Sequence, residues 1–457
     1  MNVSSQFLDM KAKAIGFIKA QKLILFFLVI WLIFLVLWLI PNWSEGPFYL
    51  VFSSVMFVIL VASQLFWIAR VGDIGNRMVS RPSWRRGLAS AGLLIYVFLL
   101  AFNLFSGINR GSSWNLRAGL LEAPFEIWFV GSVLGFFVIM LLWSADRLGR
   151  GVIGTAKKFA SPSHPELQSP SRRRFLEQSA ITVSTAPFVA GAYGLFYGRL
   201  NLETTRQRIR LRRLPKAFEG FRIVQLSDFH ISPFLSAEEI RKYVEIANQL
   251  HGDLVALTGD FLTYDRATQG AVVQAVSALK APFGVLGCLG NHEYMTETEE
   301  SITRLLANEQ IRILRQERVP IESSGESLNI IGIDYEQARF STDHEGHLVD
   351  RYMERNENLV VPGTVNILLN HNPNAFDRAA ELGVDLMLSG HTHGGQLSLE
   401  LLHRGLCLSR FVTPYTSGWY EKAGSQLYVN RGIGTISPSI RLGATPEITV
   451  FELTREG

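Results

Sequence analysis

The hydrophobic residues follow two different patterns, and the change between them lies near residue 200. Before that point, four runs are apolar on all sides and long enough to cross a bilayer, which takes about 20 residues. They are Leu23–Ile40, Phe48–Ala69, Leu88–Ile108 and Phe125–Trp143. A buried helix of a soluble protein would carry a polar stripe, which these runs lack. The pattern therefore predicts an all-α, four-span transmembrane domain over residues 1–145.

A linker and a milder apolar segment follow these runs. The stretch 146–178 is predicted to be a linker, flexible where Ser and Pro are frequent. Within it, Arg172, Arg173 and Arg174 precede Phe175-Leu176, and this motif resembles the twin-arginine export signal of bacteria. The alternative is that the three arginines simply flank a membrane helix. Either interpretation predicts a fifth transmembrane or signal-anchor segment at residues 179–200.

The basic residues predict the orientation of the spans. Lys and Arg are frequent before the first run, in the second connection and after the fourth run, whereas the third connection carries only Arg110 and Arg117. The positive-inside rule therefore places the 146–178 linker in the cytoplasm and the third connection outside. Five spans then place the C-terminal half outside the cytoplasm. The basic cluster Arg206–Arg213 opposes this topology unless it belongs to a strand, as its alternation with apolar residues predicts.

From about residue 205 the pattern changes to short apolar strands that alternate with amphipathic helices, which predicts an α/β domain over 205–457. The predicted strands are Phe221–Leu226, Asp253–Thr258, Phe283–Leu289, Leu328–Asp334, Thr364–Asn370, Val384–Ser389, Gln426–Asn430 and Ile448–Leu453. The predicted helices are Ser236–Leu250, Ala267–Leu279 and Glu297–Ala307. Ser236 and Glu239 have the spacing of a capping box.

Composition and charge agree with this division. Of the 457 residues, 48% are hydrophobic, and this excess lies almost wholly before residue 200. The net charge of +4 comes from loops that flank apolar runs, which indicates membrane topology rather than nucleic-acid binding. The two cysteines allow one disulfide at most, but Cys288 lies in an apolar run and is expected to be a buried thiol.

Polar groups stand directly after five of the predicted strands, where open α/β sheets bind ligands. They are Ser227-Asp228-Phe229-His230, Gly259-Asp260, Gly290-Asn291-His292-Glu293, Asn370-His371 and Gly390-His391-Thr392-His393-Gly394. Each group alone is common, whereas five in this order indicate a site for two divalent cations. Such cations lie about 3.5–4 Å apart and repel each other, so a bridging carboxylate is needed. Imidazole and amide ligands complete the site without repelling an anionic phosphate.

At these residues the chain resembles the calcineurin-like metallophosphoesterases, specifically a bacterial membrane-associated subgroup with the motif Gly-His-Thr-His-Gly-Gly-Gln. The resemblance covers about Arg208 to Leu453 and implies a two-sheet sandwich flanked by helices. It implies that one cation is held by Asp228, His230 and His393, the other by Asn291, His371 and His391, and both by Asp260. It also implies that His292 lies beside the cations, orients the phosphate and protonates the leaving oxygen, while the Asn291 amide stabilises the phosphate oxygens.

The sequence departs from the family pattern at two positions. Many relatives have Asp where this chain has Glu293. Many also have a carboxylate, at the position of Thr263, that orients the catalytic histidine. Asp265 is close enough in sequence to replace that carboxylate.

The ligand types predict the cofactors and the reaction. Carboxylate, imidazole and amide ligands without a thiolate suit two divalent ions, with Mn²⁺ favoured over Fe²⁺ or Zn²⁺. These ions would activate a bridging water, giving a phosphodiesterase or pyrophosphatase. A membrane anchor favours a lipid-linked or membrane-proximal phosphoester, so membrane lipids are expected partners. Nucleic acid is not expected, because no basic run interleaved with aromatic residues stands out beyond Arg206–Arg213.

Other interpretations remain open on the sequence alone. A non-catalytic membrane sensor or scaffold would lack a metal ligand, and none is missing. A UDP-diacylglucosamine pyrophosphatase requires a cytoplasmic domain, which the charge pattern opposes. The apolar residues of Leu397–Tyr420 either contact an acyl chain or simply cover the core. The expected location is a bacterial inner (cytoplasmic) membrane, with several spans and an extracytoplasmic catalytic domain.

Overall fold

The structure is a computed structural model. It describes residues 54–55, 57–67, 84, 87, 91–92, 94, 111–159, 170–335, 341–342, 348–349, 353, 356–398, 407–411 and 413–455. The described chain divides into two compact units, which are treated separately. The first comprises 1–89 and 132–184, and the second comprises 90–131 and 185–457.

The helices of the described chain include two long ones that precede the α/β part. In chain order they are α1 (Ala123–Phe159), α2 (Pro170–Phe196), α3 (Ala237–Gln249), α4 (Gln269–Val276), α5 (Asn291–Met295), α6 (Glu299–Asn308) and α7 (Phe376–Glu381). A π-helical turn, Ala118–Glu122, leads into α1. The predicted capping box starts α3, because Ser236 Oγ accepts from Glu239 N at 3.2 Å while Glu239 Oε2 accepts from Ser236 N at 2.7 Å.

Among the described residues, one helix, Ala118–Ala145, is long and apolar enough to cross a membrane. It contains the predicted fourth span. The predicted span Leu23–Ile40 lies outside the described residues, and the second and third predicted spans are described only in part. Most of the predicted fifth segment, 179–200, is helical within α2, and a span there stays a prediction.

The first unit contains the short apolar helix Phe57–Trp67 and the later part of α1. Gln64 Nε2 donates to Ser132 Oγ at 2.8 Å, and Trp67 Nε1 donates to the Ser132 carbonyl oxygen at 2.8 Å. These bonds join the short helix to α1 through polar groups, as is common between helices that are apolar on all sides. The predicted domain boundaries depend on which segments cross the membrane, and they stay predictions.

The strands of the second unit form two six-stranded sheets and a small third one. In chain order they are β1 (Glu203–Leu211), β2 (Arg222–Leu226), β3 (Leu254–Thr258), β4 (Val285–Cys288), β5 (Ile311–Ile313), β6 (Glu317–Ser323), β7 (Glu326–Gly332), β8 (Ser341–Thr342), β9 (Leu348–Val349), β10 (Asn366–Leu369), β11 (Leu386–Ser389), β12 (Gly418–Lys422), β13 (Ser425–Val429) and β14 (Glu447–Arg455). The sheet orders are β1-β14-β2-β3-β4-β5 and β12-β13-β11-β10-β7-β6, with β8 pairing β9. Two mixed sheets with helices confirm the α/β prediction.

The two large sheets enclose one core, and other apolar clusters lie under the helices. Ile223 and Leu286 of the first sheet share the central cluster with Ile367 and Tyr428 of the second. Strand β1 contributes Ile209 to this cluster while Arg206, Arg208 and Arg210 are exposed, which confirms the strand prediction for this part of the basic cluster. Arg212 and Arg213 follow the strand in an exposed turn.

Strand direction places the polar loops at one end of the unit. Strands β2, β3 and β4 are parallel, as are β10 and β11, so the loops after them open at the carboxyl ends of the strands. Strand β14 is antiparallel to β2 and parallel to β1, so β1 begins at the end where β2 finishes. Since β1 follows α2 closely, helix α2 enters the unit at the same end as these loops.

Candidate metal centre

The predicted site residues converge at this end of the strands, on loops after β2, β3, β4, β10 and β11. Asp228, His230, Asp260, His391 and His393 all have positive φ, between 44° and 74°. Non-glycine residues seldom adopt this left-handed conformation, and functional sites are where such strain concentrates. The local backbone therefore holds five side chains in positions that an ordinary turn would not give.

The first group consists of Asp228, His230 and His393, whose candidate ligand atoms all lie within 4.8 Å of one another. The Nε2 atoms of His230 and His393 are 3.0 Å apart, and His393 Nε2 is 3.4 Å from Asp228 Oδ1. His230 Nδ1 lies 3.0 Å from the carbonyl oxygen of Leu262 and donates to it, since that oxygen can only accept. This bond fixes the tautomer and leaves the Nε2 lone pair directed into the group.

The second group consists of Asp260, His371 and His391, again with ligand atoms within 4.8 Å. Asn291 joins it, because its Oδ1 lies 2.8 Å from His391 Nδ1 and 3.1 Å from His371 Nε2. Asp260 Oδ2 is 3.0 Å from His371 Nε2 and 3.3 Å from His230 Nε2. The carboxylate of Asp260 therefore lies between the two groups, which is where a bridging ligand must lie.

The donor set fits divalent cations. Asp228, His230, Asp260, His371 and His393 are buried with their candidate ligand atoms close together, an arrangement that needs a cation or bound protons between these atoms. Asn291 and His391 are half-buried, so the site opens to solvent on their side.

The protonation of the imidazoles follows from burial and from Asp260. Burial lowers the pKa of His230 and His393 and lowers that of His391 to about 3, so these rings are neutral bases at neutral pH. Burial also disfavours charge on His371, but the neighbouring Asp260 carboxylate outweighs it and raises the pKa of His371 to about 9. Without a cation, His371 therefore carries a proton beside an ionised Asp260, whose pKa the neighbouring histidines hold well below its ordinary value against the effect of burial, and a cation would displace that proton.

His292 lies beside both groups. Its backbone N–H donates to Asp260 Oδ1 at 2.9 Å, and its ring centroid is 4.6 Å from that of His230. His292 Nδ1 donates to the carbonyl oxygen of Thr263, which leaves Nε2 as the nitrogen that can exchange a proton. His230, Asp260 and His292 also have ligand atoms within 4.8 Å, so proximity alone would admit His292 as a ligand.

Asp265 does not take the place of the missing carboxylate. Its Oδ1 accepts from Ala267 N at 3.0 Å, as a helix cap, and its Oδ2 accepts from Gly111 N at 3.1 Å. The backbone carbonyl of Thr263 orients His292 instead. A main-chain acceptor performs the same function as a carboxylate without adding charge.

Glu293 links the loop after β3 to the loop after β4 through backbone hydrogen bonds. Its fully buried carboxylate accepts four backbone N–H groups, those of Asp260, Phe261, Leu262 and Gly290, at 2.8–3.1 Å. Burial raises the pKa of Glu293 to about 7, and the negative charge of Asp260 adds to this, while the amide donors oppose it. The substitution of Glu for the more frequent Asp is therefore compatible with an ordered site.

Two motif glycines allow close contact between the loops. A Cβ atom on Gly290 would lie 2.1 Å from Asp260 Oδ1, and one on Gly390 would lie 2.2 Å from Asp228 Oδ2. Distances this short are not possible for real atoms. Each glycine therefore lets a neighbouring loop approach a candidate metal ligand.

Sequence reasoning missed several residues around the site. Arg441 Nη2 lies 3.3 Å from His393 Nδ1, and the ring of Tyr335 is 5.9 Å from that of His391. Tyr264 lies 5.0 Å from His292, ring to ring. Gln396 is the last residue of the Gly-His-Thr-His-Gly-Gly-Gln motif, and its side chain forms hydrogen bonds with the backbone of Ile436 and Pro438. Of these, only Gln396 carried a local signal, because the others approach the site through the tertiary fold.

The apolar stretch Leu397–Tyr420 covers the core where it is described. Trp419 lies 5.2 Å from Tyr428 and 6.1 Å from Phe451, measured between ring centroids, and Tyr420 packs against Tyr415. Residues 399–406 lie outside the described residues. Both cysteines are buried free thiols, as expected for Cys288, and burial raises the pKa of that thiol.

Comparison with known proteins identifies the family. The family model described as calcineurin-like phosphoesterase matches residues 221–395. The uncharacterized metallophosphoesterase YkuE of Bacillus subtilis is 32% identical over 290 residues, which are 62% of this chain and 97% of that protein. Phosphodiesterase YaeI of Escherichia coli is 27% identical over 290 residues, covering 62% of this chain and 99% of that protein.

A further relative extends the similarity beyond the catalytic half. The transmembrane protein with metallophosphoesterase domain of Bos taurus is 28% identical over 416 residues, 86% of each chain. Together with the apolar helix Ala118–Ala145, this relative supports association with a membrane. The similarity to these proteins and the matching motif positions show that the chain belongs to the calcineurin-like metallophosphoesterases.

Proposed function

We propose that this chain is a metal-dependent phosphohydrolase, acting as a phosphodiesterase or pyrophosphatase on a phosphoester at the membrane surface. The observation that carries the proposal is the position of Asp260 between two groups of histidine and carboxylate ligands. The name of the Escherichia coli relative, a phosphodiesterase, supports the reaction class.

The proposed ligands divide as the sequence motifs predict. Asp228, His230 and His393 would hold one divalent cation, Asn291, His371 and His391 the other, and Asp260 both. When bound, two such cations lower the pKa of a coordinated water and neutralise the phosphate oxygens. The donor set combines carboxylate, imidazole and amide without a thiolate, which suits Mn²⁺, Fe²⁺ or Zn²⁺, and of these we favour Mn²⁺.

His292 would be the proton donor in this reaction. The bond from its Nδ1 to the Thr263 carbonyl fixes the ring, and Nε2 is then free to protonate the leaving oxygen. The packing of Tyr264 against the ring restricts its rotation further. The half-buried amide of Asn291 would bind a cation through Oδ1 and stabilise an incoming phosphate oxygen, a role that its position beside His371 and His391 supports.

The proposal of a substrate at the membrane surface is supported by the contacts that the helical segments make with the catalytic unit. The backbone N–H of Arg441 donates to the carbonyl of Gly194 in α2 at 3.3 Å, so the end of α2 lies directly behind the His393 loop. On the other side, Ala237 N donates to the carbonyl of Ser112 at 3.3 Å, just before the apolar helix. A phosphoester that binds at this end of the unit would lie close to the bilayer. This position favours a lipid-linked phosphodiester or pyrophosphate as the substrate.

The test uses the full-length protein in detergent, loaded with Mn²⁺, and a panel of phosphomonoesters, phosphodiesters, nucleotide sugars and phospholipids. We expect hydrolysis of phosphodiester or pyrophosphate bonds, with Asp260→Asn losing activity and at least one metal ion by elemental analysis. An Asp260→Asn variant that keeps two ions and full turnover would contradict the bridging assignment. A wild-type protein that binds two ions and hydrolyses nothing would favour the non-catalytic sensor or scaffold.

A further inference from the structure

The loop between β13 and β14, residues 430–446, passes directly behind Asp228. The backbone N–H of Gly434 donates to the Asp228 carbonyl oxygen at 2.7 Å. A Cβ atom on Gly432 would lie only 2.5 Å from the Cβ of Asp228. The path of this loop therefore limits where Asp228 can lie.

Arg441 stabilises the 430–446 loop through hydrogen bonds from its buried guanidinium to the loop backbone. It is 1% exposed, and its guanidinium donates to the carbonyl oxygens of Arg431 at 2.7 Å, Gly432 at 3.1 Å and Ala444 at 3.1 Å. The same group lies 3.3 Å from Nδ1 of His393 and packs against that ring; the contact is not a hydrogen bond when Nδ1 carries the proton that leaves Nε2 able to bind a cation. Burial lowers the pKa of Arg441 to about 10, so the group remains charged at neutral pH. The position of His393 thus depends on the position of this loop.

Gln396 connects the same loop to the backbone that carries His393. Its Nε2 donates to the carbonyl oxygens of Ile436 at 3.1 Å and Pro438 at 2.9 Å, and its Oε1 accepts from Ile436 N at 2.7 Å. Three hydrogen bonds from one side chain hold the turn at 436–438 against the motif loop. A displacement of the turn would therefore move the loop that carries His393.

Glu126, at the start of α1, holds the outer side of the same turn. Its carboxylate is 2% exposed and accepts from Ser439 N at 2.9 Å, Ser439 Oγ at 3.3 Å and Ser437 Oγ at 3.4 Å. The residue lies within the apolar helix Ala118–Ala145, where a buried carboxylate is unfavourable unless it is hydrogen-bonded. The turn supplies these hydrogen bonds to the carboxylate, and the same bonds hold the turn against α1.

We propose that Glu126 is a positioning residue for the metal centre. It holds residues 437–439, which belong to the turn at 436–438 and its continuation towards Arg441. It thereby keeps Arg441 and Gln396 in place and, through them, His393. The start of the apolar helix is then a structural part of the catalytic unit and not only a membrane tether. This inference rests on the proposed role of His393 as a metal ligand. Glu126 acts through other residues and does not touch the reacting atoms.

The test is Mn²⁺ binding by the full-length protein in detergent, measured by titration and by elemental analysis after dialysis. Residues that support a metal ligand usually contribute 10–100-fold to metal affinity, so we expect Glu126→Ala to weaken one of two Mn²⁺ sites by about that factor. The other site should keep its affinity, and saturating Mn²⁺ should restore the site content. Glu126→Gln keeps an acceptor for Ser439 N and should lose less.

Glu122 provides a matched control on the same segment. It is 1% exposed, and it pairs with Arg117 at 2.9 Å rather than with the turn. Glu122→Ala should destabilise the protein in a comparable way without changing either Mn²⁺ affinity. If Glu126→Ala does not fold, Ser439→Ala, which removes the Ser439 Oγ bond, and Glu126→Gln, which replaces the carboxylate, each weaken the contact of Glu126 with the turn and should weaken the same site.

Two results would overturn the inference. One is an unchanged Mn²⁺ affinity in the folded Glu126 and Ser439 variants. The other is an equal loss in Glu122→Ala, which would show that general destabilisation explains the effect. Because metal binding is measured without turnover, a wild-type protein with two bound ions and no hydrolytic activity would contradict the proposed reaction alone. A wild-type protein that binds no Mn²⁺ would contradict the ligand assignment and this inference together.

Discussion

His292 is the single residue whose role the local contacts define most narrowly. Its ring is fixed through Nδ1 by the Thr263 carbonyl, and its backbone binds Asp260. If Nε2 protonates the leaving oxygen, His292→Ala should retain both metal ions and lose about 10²–10⁴-fold in rate for substrates with alkoxide leaving groups. The loss should shrink for p-nitrophenyl esters, because nitrophenolate needs little protonation. Rates on the two substrate types, with metal content measured alongside, check this.

Equal losses on both substrate types would give His292 a different role, such as binding the phosphate. A loss of metal with the substitution would instead make His292 a ligand, which the proximity of His230, Asp260 and His292 allows. Tyr264→Phe is a suitable control, because it keeps the ring contact beside His292 while it removes only a hydroxyl group.

The convergence of the motif residues could be predicted from the sequence because each lies in a short motif after an apolar run, and parallel strands bring their carboxyl ends together. Their division between two cations came from the family resemblance and stays a prediction. The residues that support them could not be found in this way. Arg441 reaches His393 from 48 residues away, and Glu126 reaches Ser439 across 313. No local pattern marks such pairs, because the fold alone brings them together.

At the scale of elements, α2 packs its glycines directly against the turn that carries Arg441. A Cβ on Gly194 would lie 2.7 Å from Ile440 Cγ2 and 2.8 Å from the Arg441 carbonyl oxygen. Backbone cannot move aside as easily as a side-chain end, so Gly194→Ala should cost about 1–3 kcal/mol in unfolding free energy. Thermal or denaturant unfolding of the full-length protein in detergent measures the change.

Gly270 in α4 is the matched control for this prediction. It is also helical, but a Cβ atom there would meet nothing within 4 Å. Gly270→Ala should therefore be neutral or stabilising, by up to about 1 kcal/mol of helix propensity. Equal changes in the unfolding midpoint for Gly194→Ala and Gly270→Ala would contradict the close packing of α2 against this turn.

Elements were predictable where burial was uniform and were missed where it was not. Strands β3, β4, β10 and β11 are buried along their whole length and appear in the sequence as apolar runs. Strands β5 and β6 were missed, the first because it is three residues long and the second because it is an edge strand that exposes every other residue. Strand β6 also contains Pro320, which edge strands tolerate.

At the scale of the whole molecule, the third connection and the catalytic domain are linked by contact within one compact unit. The backbone N–H of Gly111 binds the Asp265 carboxylate at 3.1 Å, and the ring of Trp114 lies 5.6 Å from that of Phe234. Segments in contact share one side of a membrane. The side that the charge rule predicts for the third connection is therefore also the predicted side of the catalytic domain.

We predict that the catalytic domain faces away from the cytoplasm, because the third connection carries only Arg110 and Arg117 whereas the second connection and the linker are richly basic. The opposing arginines belong to the folded domain, with Arg206, Arg208 and Arg210 in strand β1 and Arg212 and Arg213 in the turn after it, and a folded exported domain is less bound by the charge rule. Alkaline phosphatase fused after Gly457 should be active, and a fluorescent protein that matures only in the cytoplasm should stay dark. Replacing Arg172 and Arg173 with Lys should lower the exported activity if the twin-arginine motif is used. A bright cytoplasmic reporter would invert the topology, and nucleotide-sugar lipids such as UDP-diacylglucosamine would then become the leading substrates.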